Sequence, residues 1–160
     1  MEQKKRKIEI DFLYLDLSAC TRCKGTDASL DIAISEVAHI LEMVGIEVVV
    51  RKTLIEGEEQ ARQLGFISSP TILINGKDIQ ETLRESLCES CGDLIGGEHC
   101  DCRVWTYHEK EYTAPPPGLI VDAILREVYG GGKSECCPQK PIDVSENIKR
   151  FLVARKTISK

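Results

Sequence analysis

The chain has 160 residues, of which 42% are hydrophobic and 29% charged, and this composition is typical of one globular domain with an added segment. A net charge of −5 argues against nucleic acid or an anionic membrane surface as the main partner, since both select for clustered positive charge. The charged first residues do not form a secretory signal and no stretch reaches the length of a membrane span, so we expect a cytoplasmic protein.

The first half of the chain alternates predicted strands and helices. Hydrophobic periodicity, N-cap residues and β-branched runs indicate the type of each element. The predicted elements are strands at 8–15 and 46–50, a helix between an Asp27 cap and Gly45, a helix at 58–64, and strands at 71–74 and 77–79. The dipeptide Asn75-Gly76 predicts a tight hairpin between the last two strands.

The second half departs from this rhythm. Residues 80–116, here called the insertion, are rich in cysteine and poor in apolar residues, and they end in a small predicted hairpin around His108. A helix follows at about 119–129 and completes the domain predicted for residues 1–129. Residues 130–160 are predicted to form a tail with a glycine hinge and a short amphipathic helix capped by Ser145.

Eight cysteines are many for a cytoplasmic chain of this length. They form four close pairs, which are Cys20 and Cys23, Cys88 and Cys91, Cys100 and Cys102, and Cys136 and Cys137. In a reducing compartment, such pairs indicate metal ligands or reactive dithiols more than structural disulfides.

The pair Cys20 and Cys23 lies between the first predicted strand and the first helix. A helix N-terminus and the nearby Arg22 stabilise a thiolate, so we expect Cys20 to be the more acidic and more exposed thiol. Cys20 would then attack a disulfide of a protein or small molecule, Cys23 would resolve the mixed disulfide, and a reductase would supply electrons. The same pair could instead be half of a zinc site or chemically inert.

Ser69-Pro70 stands directly before the third predicted strand, where a cis peptide bond is expected. In Cys20-Thr-Arg-Cys23 and Ser69-Pro70-Thr71, the sequence resembles the thioredoxin-like superfamily. The resemblance implies an α/β, βαβαββα three-layer fold in which Pro70 faces the dithiol. It also implies that the backbone of Ser69 and Thr71 binds the substrate. We expect Arg22, which adds positive charge beside the dithiol, to contact the substrate as well.

A narrower resemblance is to a small prokaryotic family of thioredoxin-like domains whose function is unknown. It rests on Ala19-Cys20-Thr-Arg-Cys23-Lys-Gly25-Thr26 and on the stretch from Val104 to Tyr112, and it extends over about residues 8–129. It implies a fold but no activity.

The insertion carries the pattern of a metal site. Cys88-x-x-Cys91-Gly92 has the form of a zinc knuckle, and Cys100 and Cys102 would complete four thiolates around a structural Zn²⁺. Because the segment has few apolar residues, a metal gives it a physical reason to be ordered. An iron–sulfur cluster and a second redox relay are alternatives.

The adjacent Cys136 and Cys137 have several interpretations. They could form a strained disulfide, hold a soft metal, shuttle electrons to Cys20, or be ordinary exposed thiols. For the whole chain, the sequence favours a thiol–disulfide oxidoreductase with a structural metal site. A protein that binds soft metals or metalloids, and an interaction module stabilised by a metal, remain alternatives.

Overall fold

The computed structural model describes residues 6–80, 82–130 and 143–158, with side chains of the last helix described as far as residue 156. Its elements follow the predicted alternation through the first half of the chain. They are β1 Arg6–Tyr14, α1 Thr21–Met43, β2 Ile46–Leu54, α2 Glu58–Leu64, β3 Thr71–Ile74, β4 Lys77–Asp78, β5 Glu85–Leu87, α3 Glu89–Leu94, β6 Asp101–Arg103, β7 Trp105–Tyr107, β8 Lys110–Tyr112, α4 Pro117–Tyr129 and α5 Glu146–Ile158.

A mixed sheet with the strand order β2-β1-β3-β4 forms the middle layer. Strand β1 runs parallel to β2 and antiparallel to β3, and β3 forms the hairpin with β4. Helices α1 and α4 pack together over Ile8, Ile10 and Phe12 of β1. Helices α2 and α5 contribute to a second core with Leu13 and Leu15. The result is the expected α/β three-layer fold, with an arrangement compatible with the thioredoxin-like class.

Several local predictions are confirmed. The peptide bond between Ser69 and Pro70 is cis, and Asn75 and Gly76 have φ values of 50° and 81° at the hairpin turn. The hydroxyl of Ser145 accepts a hydrogen bond of 3.2 Å from the amide of Ile148, so it caps α5 as expected.

The start of α1 was predicted wrongly. The helix begins at Thr21 rather than after Asp27, so Cys23 lies inside its first turn. The reason is the carboxylate of Asp16, which accepts hydrogen bonds from the amides of Ala19 and Cys20 at 2.7 and 2.8 Å. Asp27 is not the cap and pairs with Lys52 at 2.7 Å.

The insertion forms two small sheets around a short helix. Strands β5 and β6 pair antiparallel with α3 between them, and β7 and β8 form the hairpin predicted around His108. Across residues 6–80, 82–130 and 143–158, no helix has the length and apolar character that crossing a membrane requires.

Candidate metal centre

Four buried thiols from three separate elements meet at one point, and we call them the four-thiol group. They are Cys20 at the start of α1, Cys88 and Cys91 around the start of α3, and Cys102 in β6. All four sulfur atoms lie within 4.8 Å of one another. The Sγ atom of Cys91 is 3.0 Å from that of Cys20 and 3.3 Å from that of Cys102, and the Sγ atoms of Cys20 and Cys88 are 4.0 Å apart.

This spacing matches a single tetrahedral ion. A Zn–S bond of about 2.3 Å places the sulfur atoms of a four-thiolate site about 3.8 Å apart. The sulfur distances of 3.0 to 4.0 Å lie around that value, and the described cysteines are free thiols. The group can therefore bind a metal ion such as zinc with small shifts of its side chains.

Two residues of α1 connect its first turn to the insertion, one through its side chain and one through its backbone amide. The guanidinium of Arg22 donates to the carbonyls of Leu87 at 2.7 Å and Cys102 at 3.0 Å. The amide of Thr21 donates to the hydroxyl of Ser90 at 3.1 Å, and that hydroxyl lies 3.3 Å from the Sγ atom of Cys88. These bonds hold the Cys20 turn against the Cys88–Cys91 knuckle.

Asp16 positions the turn that carries Cys20. Burial alone would raise the pKa of its carboxyl group, but hydrogen bonds from the Ser18 hydroxyl and from the Ala19 and Cys20 amides lower it below the ordinary value. Asp16 therefore remains ionised near neutral pH and fixes the turn that leads into α1.

The thiols share their protons unequally. Hydrogen bonding to Cys102, followed by Cys23, lowers the pKa of Cys20, and hydrogen bonding to Cys102 lowers that of Cys88 to about 6. The pKa of Cys91 is raised, chiefly by hydrogen bonding between its thiol and that of Cys100. Four thiolates this close repel one another, so a cation is what allows all of them to lose their protons together.

Two further buried cysteines flank the four-thiol group. Cys23 shares a buried cluster with Cys20, and its Sγ atom is 3.4 Å from the hydroxyl of Ser69. Cys100 is buried in the same cluster as Cys91 and Cys102, and its thiol donates to the carbonyl of Asp101 at 3.9 Å. The two centres predicted separately from sequence thus share one core.

The structure rearranges the predicted metal site. Three of the four expected ligands, Cys88, Cys91 and Cys102, belong to the four-thiol group, and Cys20 rather than Cys100 is its fourth member. The prediction that Cys20 would be the exposed thiol is wrong, because Cys20 and Cys23 are both 0% exposed. The insertion lies over the start of α1 and covers them.

The predicted substrate-binding residues are engaged within the chain. The carbonyl of Ser69 accepts a hydrogen bond of 2.8 Å from the amide of Arg103. The Thr71 hydroxyl donates to the carbonyl of Ser68 at 2.5 Å, and the guanidinium of Arg22 is bound as described. The accessory pair, Cys136 and Cys137, lies outside the described residues.

Sequence reasoning missed Arg103. Its side chain is fully buried, and its two terminal nitrogens each donate to a carboxylate oxygen of Asp78 at 2.8 Å. Its guanidinium carbon also lies 4.7 Å from the centre of the Trp105 ring. No sequence pattern predicts a buried ion pair between residues 25 positions apart. The position of Arg103, directly after Cys102 and two residues before the sole tryptophan, is the one feature that could have suggested a buried role.

Gly92 offers a test of how tightly the knuckle is built. A Cβ atom at this position would lie 2.8 Å from the backbone oxygen of Glu98, which is too close. We expect Gly92→Ala to lower the free energy of unfolding by about 1–3 kcal/mol through overpacking, measured by urea denaturation. Gly118→Ala is the control, because it is also a helical glycine and a Cβ there makes only ordinary contacts of 3.6 Å or more with the Tyr107 ring. Equal stability of the two variants would contradict this packing.

Comparison with known proteins gives a family and no activity. A family model described as a domain of unknown function (DUF2703) matches residues 8–124. No curated protein and no solved structure matches the chain. The matched stretch contains every member of the four-thiol group.

Proposed function

The chain belongs to the DUF2703 family of domains of unknown function, and we propose that it binds one thiophilic metal ion through the four-thiol group. The observation that carries the proposal is the convergence of four buried sulfur atoms within 4.8 Å. They come from α1, α3 and β6, so one ion would join the core domain to the insertion. A purely local zinc knuckle would not do this.

Zinc fits this donor set best. Thiolates select soft or borderline ions, and four thiolates in a tetrahedron are typical of structural zinc. In cubane iron–sulfur clusters each cysteine binds a different iron atom, which places the sulfur atoms farther apart than around a single ion. The 3.0 Å and 3.3 Å distances from Cys91 to Cys20 and Cys102 therefore favour one ion over such a cluster.

The test is the metal content of protein purified without oxygen. We expect one equivalent of zinc per chain, with four sulfur neighbours in X-ray absorption spectra. Cys91→Ser removes the thiol nearest to two others in the group, so we expect it to lose the bound zinc at chelator concentrations that leave the native protein loaded.

Cys23→Ser is the matched control, because Cys23 is buried beside Cys20 but lies outside the four-thiol group. We expect it to retain one zinc ion with four sulfur neighbours. Loss of zinc from Cys23→Ser with retention by Cys91→Ser would refute the assignment. Visible absorption from an iron–sulfur cluster would refute the choice of zinc.

A second candidate function is thiol–disulfide exchange. Its support is the Cys20 and Cys23 pair at the start of a 23-residue helix, next to the cis bond at Pro70. The same features and the sheet order are the basis for proposing that the chain is related to the thioredoxin-like superfamily. The substrate would be a protein or small-molecule disulfide, reduced in the cytoplasm with electrons from a reductase, and Arg22, Ser69 and Thr71 would lie beside it.

The two functions compete for Cys20, because a thiolate bound to a metal is not free to attack a disulfide. We expect metal-free protein to reduce a disulfide substrate faster than zinc-loaded protein, and Cys23→Ser to abolish turnover in both. Activity that is independent of zinc would separate Cys20 from the metal and favour the second function.

A further inference from the structure

We infer that Cys20 is the exchangeable ligand of the metal centre. It leaves the metal to form a disulfide with Cys23, and Cys100 then takes the fourth position. This inference rests on the proposed metal-binding function. It assigns roles to Cys23 and Cys100, the two described buried cysteines outside the four-thiol group.

Cys20 belongs to two sets of thiols at once. Its Sγ atom lies 3.0 Å from that of Cys91 on the insertion side, and Cys20 shares a buried cluster with Cys23 on the other. The two residues are three positions apart at the start of α1, a spacing that places side chains on one helix face with Cβ atoms about 5–6 Å apart. A disulfide spans Cα separations of about 4.4–6.8 Å, so the pair can close with only a small adjustment.

Cys100 is placed to replace Cys20. It is fully buried in the same core cluster as Cys88, Cys91 and Cys102, and it lies two residues before Cys102, a spacing that puts both side chains on one face of the chain as it enters β6. Its carbonyl accepts a 2.8 Å hydrogen bond from the amide of Cys88, which keeps the backbone of Cys100 beside that member of the four-thiol group. The ligand set without Cys20 would therefore lie wholly within the insertion.

The exchange is a two-electron oxidation by a low-molecular-weight disulfide. The Cys20 thiolate attacks one sulfur of the oxidant, the S–S bond of the oxidant breaks, and one thiolate leaves. Cys23 then loses its proton and attacks the Cys20 sulfur, which releases the second thiol. The protein pair is oxidised, the small disulfide is reduced to two thiols, and Cys100 loses a proton as it binds the metal. Cys20 is fully buried, but its neighbours Ala19 and Thr21 are exposed, so the oxidant would reach it when this turn opens locally.

The test measures the number of sulfur atoms bound to zinc by X-ray absorption, before and after zinc-loaded protein is treated with oxidised glutathione. Disulfides are mapped by mass spectrometry in the same samples. In the native protein we expect zinc to have four sulfur neighbours both before and after oxidation. The Cys20–Cys23 disulfide should appear only after oxidation. In Cys100→Ser we expect four before and three after. We expect zinc affinity of the oxidised variant to fall by more than the roughly 10–100-fold that loss of an outer-shell partner costs. In Cys23→Ser the second step is blocked, so we expect mass spectrometry to find Cys20 trapped as a mixed disulfide with glutathione and no disulfide within the protein pair.

A second comparison avoids oxidation and does not depend on the folding of Cys100→Ser. We expect Cys20→Ser to keep one zinc ion with four sulfur neighbours, because Cys100 takes over, and Cys20→Ser/Cys100→Ser to have three. If zinc has only three sulfur neighbours in Cys20→Ser, or in the oxidised native protein, Cys100 does not replace Cys20 and the inferred exchange is wrong. The proposed metal-binding function would still stand. A reduced native protein without a four-sulfur zinc site would instead overturn the proposed function.

Discussion

Replacing Arg103 with methionine is expected to lower the free energy of unfolding by about 3 kcal/mol, the lower end of the cost of breaking a buried ion pair. The guanidinium is fully buried, binds both carboxylate oxygens of Asp78, and donates to the carbonyl of Gln80 at 2.9 Å. Methionine keeps most of the apolar contact with Trp105 but leaves the Asp78 carboxylate without its partner. Because the side chain of Asp78 is 21% exposed, water can offset part of the loss.

The measurement is urea denaturation followed by circular dichroism, on zinc-saturated protein so that metal content does not differ between samples. Arg51→Met is the matched control. Arg51 also binds an aspartate, Asp11, at 2.8 Å, but its side chain is 52% exposed, so we expect a loss of less than about 1 kcal/mol. If both variants lose the same stability, the buried pair does not stabilise the insertion as the structure indicates.

The parts of the fold that the sequence predicts well are those fixed by local signals. Asn75-Gly76 determines the turn between β3 and β4, since both residues tolerate positive φ. Gly65 ends α2 in the left-handed conformation with a φ of 70°. In each case the determining residues lie within a few positions of the element, so no knowledge of tertiary structure is needed.

Local sequence signals do not predict which cysteines form the four-thiol group. The spacing of Cys88, Cys91 and Cys102 identifies three of its members, but Cys20 is 68 residues away from the nearest of them. Its place depends on Asp16 starting α1 early and on Arg22 binding the carbonyls of β5 and β6. Such contacts depend on the packed insertion and leave no periodic trace in the sequence.

Removing the metal is expected to have the largest effect on this protein. The insertion strands β5 and β6 have three residues each, and within them Cys102 is the one buried hydrophobic residue while Leu87 is 52% exposed, so apolar burial in these two strands contributes little. Ordering each residue costs about 1–2 kcal/mol, whereas a structural zinc site supplies on the order of 10 kcal/mol at neutral pH. We therefore expect a chelator to make the amides of β5, α3 and β6 exchange rapidly with solvent, while those of β1 and β3 remain protected.

Hydrogen exchange followed by mass spectrometry checks this expectation peptide by peptide. Zinc should restore protection and Mg²⁺ should not, because a hard cation prefers oxygen ligands. Acidification should mimic the chelator, since the ligands must be deprotonated to bind and protons compete with the metal as the pH falls. Because Cys20 ties the centre to α1, the first turn of α1 should lose protection together with the insertion. If that turn stays protected while β5 and β6 exchange, the metal is held within the insertion alone and Cys20 is not its ligand.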